Sequence, residues 1–162
     1  MPAEAPVVAT TMATTTTVAP DPAKMAGEAY VAFEEAFAAA AAIPDPDFAA
    51  LKETATGDAL ADAVEQLRAW QLSGRRARAV GPVREGVRVI GTSLGTDGVV
   101  VRACHVNDDQ VVVADTGEVV NADVVTRLYN VTIVEEGGRW KVSHLPVIER
   151  WEGVAGCAVD RP

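Results

Sequence analysis

GGRWKVSHLPVIERWEG, residues 137–153, decides how the chain is read. Gly137 and Gly138 mark a tight turn. On either side, residues 131–134 and 140–144 have the apolar and polar alternation of paired β-strands. Alternation puts Trp140, Val142 and His144 on one face and Arg139, Lys141 and Ser143 on the other. The stretch holds two of the chain's three tryptophans and one of its two histidines, so it reads as a core wall or as the lining of a ligand site. Core packing is the expectation for Trp140, because buried aromatics dominate core energetics. Pro146 has no N–H for a strand ladder, which predicts a bulge or an edge position just past His144.

Working outward, β-branched residues dominate everything after Gly74. Residues 77–81, 87–93, 99–106, 110–114, 124–135 and 139–150 read as strands. Between them lie Gly81-Pro82 with Glu85-Gly86, Gly95-Thr96-Asp97-Gly98, Asn107-Asp108-Asp109 and Asp115-Thr116-Gly117, all turn-forming residues. Connections this short leave no room for parallel crossovers, so the strands are expected to form an antiparallel meander.

Before Gly74 the period is helical. Asp21 is an N-cap candidate and Pro22 suits the first helical position. From there Ala26, Tyr30, Phe33, Phe37 and Ala40 recur at spacings of three and four, predicting a helix to about Ala42. Pro44 and Pro46 break it, and a short helical turn is expected over residues 48–52. Thr56-Gly57-Asp58 caps a second long helix whose inner face is expected to be Leu60, Val64, Leu67 and Trp70 or Gln71, closed by Ser73-Gly74. Helices followed by a meander give an α+β fold in which one strongly curved antiparallel sheet wraps the helices. Its core is expected to hold Tyr30, Phe33, Phe37, Leu60, Val64, Leu67, Trp140 and Val142, with no helix between residues 99 and 145.

Residues 1–20 differ in kind: Ala, Thr, Pro and Val with one charge and no periodicity. They read as a linker or tether, and 21–162 as a single domain. A signal peptide needs a basic start and a continuous apolar core; Glu4 and the threonine run 14–17 fit neither, so no export signal is readable here. The 14 basic and 23 acidic residues sum to −9. That balance disfavours nucleic acid and anionic membrane surfaces as partners, and no apolar run is long enough to span a bilayer.

With helix, proline break, helix, meander and Gly-Gly-Arg-Trp hairpin in place, the chain resembles the nuclear transport factor 2-like, or ketosteroid isomerase-like, cone. More closely it resembles small actinobacterial lipoproteins and secreted proteins of that fold, through Ala103-Cys104, Asp115-Thr116-Gly117, Gly137-Gly138-Arg139-Trp140 and Cys157. No lipobox cysteine accompanies them. The resemblance implies that Trp140 packs on helix residues such as Phe33 and Phe37. It also implies an oxidising compartment, in which two cysteines favour a Cys104–Cys157 disulfide closed by a C-terminal tail that folds back over the sheet.

Enzymes of this resemblance place an Asp or His base inside the cone with a Tyr or neutral acid donor. Tyr30, Tyr129, His105, His144, Asp115 and Asp123 are the available groups. His105 and Cys104 face opposite ways and form no Cys-His pair, leaving His144 as the inward candidate, with Tyr129, Asp123 and Trp140 as further pocket residues. Asp108, Asp109, Asp115 and Asp123 fall at turns, where Asp caps its own backbone. The cysteines and histidines lack metal-ligand spacing, and Gly91-Thr92-Ser93-Leu94-Gly95 lacks the Lys and helix of a phosphate loop. No metal, cofactor or catalytic residue is therefore assigned. The reading is a non-catalytic envelope accessory or binding domain, extracytoplasmic and displayed on its tether. The alternatives are a small-molecule enzyme of the isomerase or cyclase type, or a component of a larger assembly such as a virion. A protein partner held by the N-terminal tail and a homodimer through the sheet face are the contacts it leaves open.

Overall fold

Asp21 opens the first helix as its sequence requires: its carboxylate accepts from the Ala23 N–H at 3.0 Å and proline follows it. The computed structural model describes residues 21–157, so the expected tether at 1–20 lies outside the described residues. Helix α1 (Pro22–Ala42) buries Ala26, Tyr30, Phe33 and Ala40 along one stripe, with Glu34 among them. It ends where the Ile43 and Asp45 N–H groups turn back to the Ala40 carbonyl. The short α2 (Ala49–Thr54) and the longer α3 (Gly57–Leu72) follow. Their junction is pinned to the sheet by the Thr56 N–H, which donates to Val142 O at 2.8 Å.

The buried face of α3 differs from the expected one. Ala59, Ala63 and Leu67 are buried, Leu60 and Trp70 flank them half-buried, and Val64 is turned partly away. Ala59 and Ala63 hold these positions where α3 runs along β7 and β1, and both methyl groups also border the open space between α1, α3 and the sheets.

The strands are β1 (Arg75–Arg78), β2 (Val87–Leu94), β3 (Val99–Asn107), β4 (Gln110–Val113), β5 (Val119–Asn121), β6 (Val125–Glu136), β7 (Arg139–His144) and β8 (Val147–Glu152). All pair antiparallel. They form two sheets, β1-β4-β5 and β2-β3-β6 with β7 and β8 sharing the far edge of β6, in place of one strongly bent sheet. The division has a simple cause. Strand β3 already has β2 on one edge and β6 on the other, so β4 has no edge of β3 left to pair with. It pairs instead with β1, aided by the Ala114 N–H donating to Gly74 O at 2.7 Å.

Smaller differences concern β1, which starts two residues earlier than expected, β5, which was not expected, and a single helical turn, α4 (Val83–Gly86), where a plain turn was expected. Among the described residues no helix falls between 99 and 145, and none is long and apolar enough to cross a membrane. The expected interruption at Pro146 is present as the break between β7 and β8.

One core lies between the helices and the inner sheet faces, with Tyr30, Leu51, Leu67, Val101, Val131, Ile133 and Val142 fully enclosed. Phe37, Leu60 and Trp140 pack on it half-buried. A second, smaller cluster covers the opposite face of the five-stranded sheet: Cys104, Leu128 and Cys157, flanked by Ile90 and Trp151. Here the C-terminal segment folds back over the sheet. Cys104 and Cys157 form a disulfide with Cα atoms 6.1 Å apart, and Arg88 donates to the Cys157 carbonyl at 2.7 Å.

Candidate functional site

Alternation along β3 sends Val99, Val101, Ala103 and His105 toward the helices and leaves Cys104 on the other face for its disulfide. His105 meets Glu34, which α1 carries one turn after Tyr30. The two side chains are nearly sealed from solvent, with Nδ1 of His105 3.4 Å from Oε2 of Glu34. A carboxylate and an imidazole are retained at such depth only when each satisfies the other.

Tyr129 on β6 and Tyr30 on α1 complete this buried polar floor, their ring centroids 6.4 Å apart. Burial first, and then the charge of Glu34, push the Tyr129 hydroxyl up to about 12 against the opposing pull of Arg127. Burial and Glu34 raise Tyr30 in the same direction. The Tyr30 hydroxyl is enclosed with no hydrogen-bond partner among the described residues. Both phenols therefore keep their protons at neutral pH.

Above this floor opens a cleft of about 510 Å³, lined by α1, α3 and strands of both sheets. Its volume is that of an ordinary small-molecule site. Phe33, Phe37, Trp70 and Leu145 supply the apolar wall, and Glu34, His105, Arg127 and Tyr129 the polar one. At the rim, burial holds the Asp109 carboxyl above its usual range, opposed by the Val80 N–H that donates to it at 3.3 Å.

The comparisons with known proteins belong beside this geometry. No family model and no curated protein matches the sequence. The chain is similar in structure to the intermembrane space region of the chloroplast protein ARC6. The superposition has a TM-score of 0.59 and 15% identity, covering 80% of this chain and 98% of that one. At that identity the likeness is one of fold alone: helices packed against antiparallel sheets.

Of the four pocket candidates, Tyr129 and Asp123 line the cleft, whereas His144 and Trp140 do not. The inward orientation expected of His144 does not hold. Ser143 is an extra residue in the β6–β7 register, which pairs Ile133 with Val142 and Thr132 with His144. That bulge takes His144 off the face of Val142, leaving it 55% exposed with Nδ1 3.5 Å from Asp58. Asp123 is engaged with Asn121, whose side-chain N–H donates to it at 2.9 Å while the Asp123 N–H donates back at 2.8 Å. Asp115 sits in the β4–β5 turn, away from the lining.

Glu34, Arg127 and Arg150 are lining residues that the sequence reading did not name, and His105 is one that it weighed and set aside for His144. Two of them carried a signal. Glu34 stands inside the apolar stripe between Phe33 and Phe37, and His105 follows Val101 and Ala103 on their face. Among the described residues no three His, Cys, Asp or Glu side chains are grouped to hold a metal ion.

Proposed function

We propose that this chain is an extracytoplasmic accessory domain of the cell envelope, a single unit on an N-terminal tether, whose work is binding in the cleft. The observation that carries the compartment is the Cys104–Cys157 disulfide, which both cysteines of the chain enter. Such bridges persist where the surroundings are oxidising. The fold likeness to a region of ARC6 that lies in an intermembrane space supports the same placement. The helices-first layout supports descent from nuclear transport factor 2-like domains, with the cleft between helices and sheets as their ligand-holding end.

The test is fractionation of the source cells with immediate thiol alkylation. The protein is expected in the envelope or secreted fraction, with neither cysteine labelled until reductant is added. Recovery from the cytoplasm with two free thiols would remove the assignment.

The Glu34–His105 pair favours a second reading, acid–base chemistry on a small carbonyl compound. A carboxylate orients the imidazole, and Tyr129 is a protonated donor in the same cleft. Turnover of ketosteroid or lactone substrates that disappears in His105→Ala would establish catalysis in place of binding alone.

A further inference from the structure

The strand register places three basic side chains abreast. His105 on β3 is directly opposite Arg127 on β6, and Arg127 is directly opposite Arg150 on β8. All three line the cleft. Residues opposed in this way have Cβ atoms about 5 Å apart, and like charges so placed repel.

His105 has Glu34 beside it, Nδ1 to Oε2 3.4 Å. Arg127 and Arg150 have no such partner: among the described residues no carboxylate lies within 4.0 Å of either guanidinium. In a chain of net charge −9, two neighbouring guanidiniums without a carboxylate partner in a cleft are an arrangement that an anion bound between them relieves.

The surrounding groups narrow the anion. Beside the arginines, in the next row of the sheet, lies Tyr129, opposite Val147 and carrying a firmly held hydroxyl proton. The same cleft is lined by Phe33, Phe37 and Leu145, a surface for an apolar body rather than for a hydrated one. The remaining acidic lining, Asp62, Asp109 and Asp123 with Glu34 at the floor, repels multiply charged ligands such as nucleotides.

We propose that the cleft binds an amphiphilic monocarboxylate, its head group bridged by Arg127 and Arg150 and its ring- or chain-like apolar body laid on Phe33, Phe37 and Leu145. The two arginines receive the carboxylate oxygens through charge-assisted hydrogen bonds, and the Tyr129 hydroxyl donates to the inner one. This rests on the cleft being the working surface of the domain proposed above, and is independent of its compartment.

The experiment is titration calorimetry on the full chain with 2-naphthoate and, as the uncharged counterpart of equal shape, 2-naphthylmethanol. We expect naphthoate to bind at least about tenfold more tightly, the equivalent of one charge-assisted contact. High salt should weaken naphthoate alone. The double variant Arg127→Gln/Arg150→Gln should bind both probes equally, with circular dichroism reporting that it is folded. Arg150→Gln alone, at an exposed position, should lose part of the preference and keeps the test open if the double variant is unstable. Equal binding of the two probes by the unaltered chain would leave the cleft as a binding site but overturn the anion. Failure of both probes to bind, or a naphthoate preference intact in the variants, would overturn the proposal as well.

Discussion

Tyr129 joins burial to titration at the scale of one side chain. Its hydroxyl is pushed up to about 12 in the folded chain, against about 10 when unfolded. A group raised in this way favours the fold fully below the unfolded value, and that contribution drains away as pH rises from about 10 through 12. Tyr30 is raised by the same burial beside the same Glu34 and extends the loss upward. The urea midpoint of the unaltered chain is therefore expected to fall steeply across this window. Tyr129→Phe should flatten the first part of the fall, by on the order of 2–3 kcal/mol. Parallel pH profiles for the two proteins would show that Tyr129 does not titrate as its burial requires. Glu34 and His105 are buried beside these phenols. A charged residue within an apolar stripe marks either an error in the reading of the stripe or a partner arriving from elsewhere in the chain, and here the partner is 71 residues away.

At the scale of elements, registry decides what alternation cannot. Trp140, Val142 and His144 share a face only in an unbroken strand, and one extra residue at Ser143 is enough to move His144 outward while Val142 stays in the core. The β2–β3 hairpin is constrained in a comparable way. A Cβ on Gly98 would run into the backbone carbonyl oxygen of Ile133 on β6, so β3 can enter the sheet only with hydrogen at that position. Gly98→Ala is expected to destabilise the fold by about 1–3 kcal/mol, since the obstacle is backbone rather than a movable side chain. Gly137→Ala meets no atom but must adopt φ near +61°, a milder cost of about 1 kcal/mol. Urea melts of the two variants should rank in that order, and a reversed ranking would mean that the β3 entrance is looser than the geometry states.

For the whole molecule the disulfide fastens the C-terminal segment onto the face of the five-stranded sheet that looks away from the helices. It spans 53 residues and ties the C-terminal segment over Leu128 and Trp151. Closing a loop of that length in the unfolded chain is worth roughly 4 kcal/mol on the chain-entropy model. Reduction, or the double variant Cys104→Ala/Cys157→Ala, should lower the unfolding free energy by about that amount, and the variant should be insensitive to reductant. An unfolding midpoint unmoved by reductant in the unaltered chain would exclude the bridge as a source of stability. The helical core is on the opposite face from the bridge and is expected to persist, so the reduced chain should retain its far-ultraviolet dichroism at low temperature.

Much of this was legible along the chain because it is local. Helix α1 with its Asp21 cap, the stop at Pro44, the glycine after α3, the Gly137-Gly138 turn and the break at Pro146 each depend on residues a few positions apart, and the α+β class follows from their order. The disulfide was legible through resemblance, since two cysteines alone do not announce their compartment. What tertiary structure decided is everything that depends on which edge a strand finds free. With both edges of β3 occupied, β4 had to pair with β1, and the strands became two sheets. Cleft residues from both sheets and from α1, α3 and α4 were thereby drawn together. Arg127 and Arg150 are separated by 23 positions of unremarkable sequence, and only the β6–β8 register sets them side by side. A pairing register is fixed by the burial of whole faces at once, and no stretch of the chain carries that sum by itself.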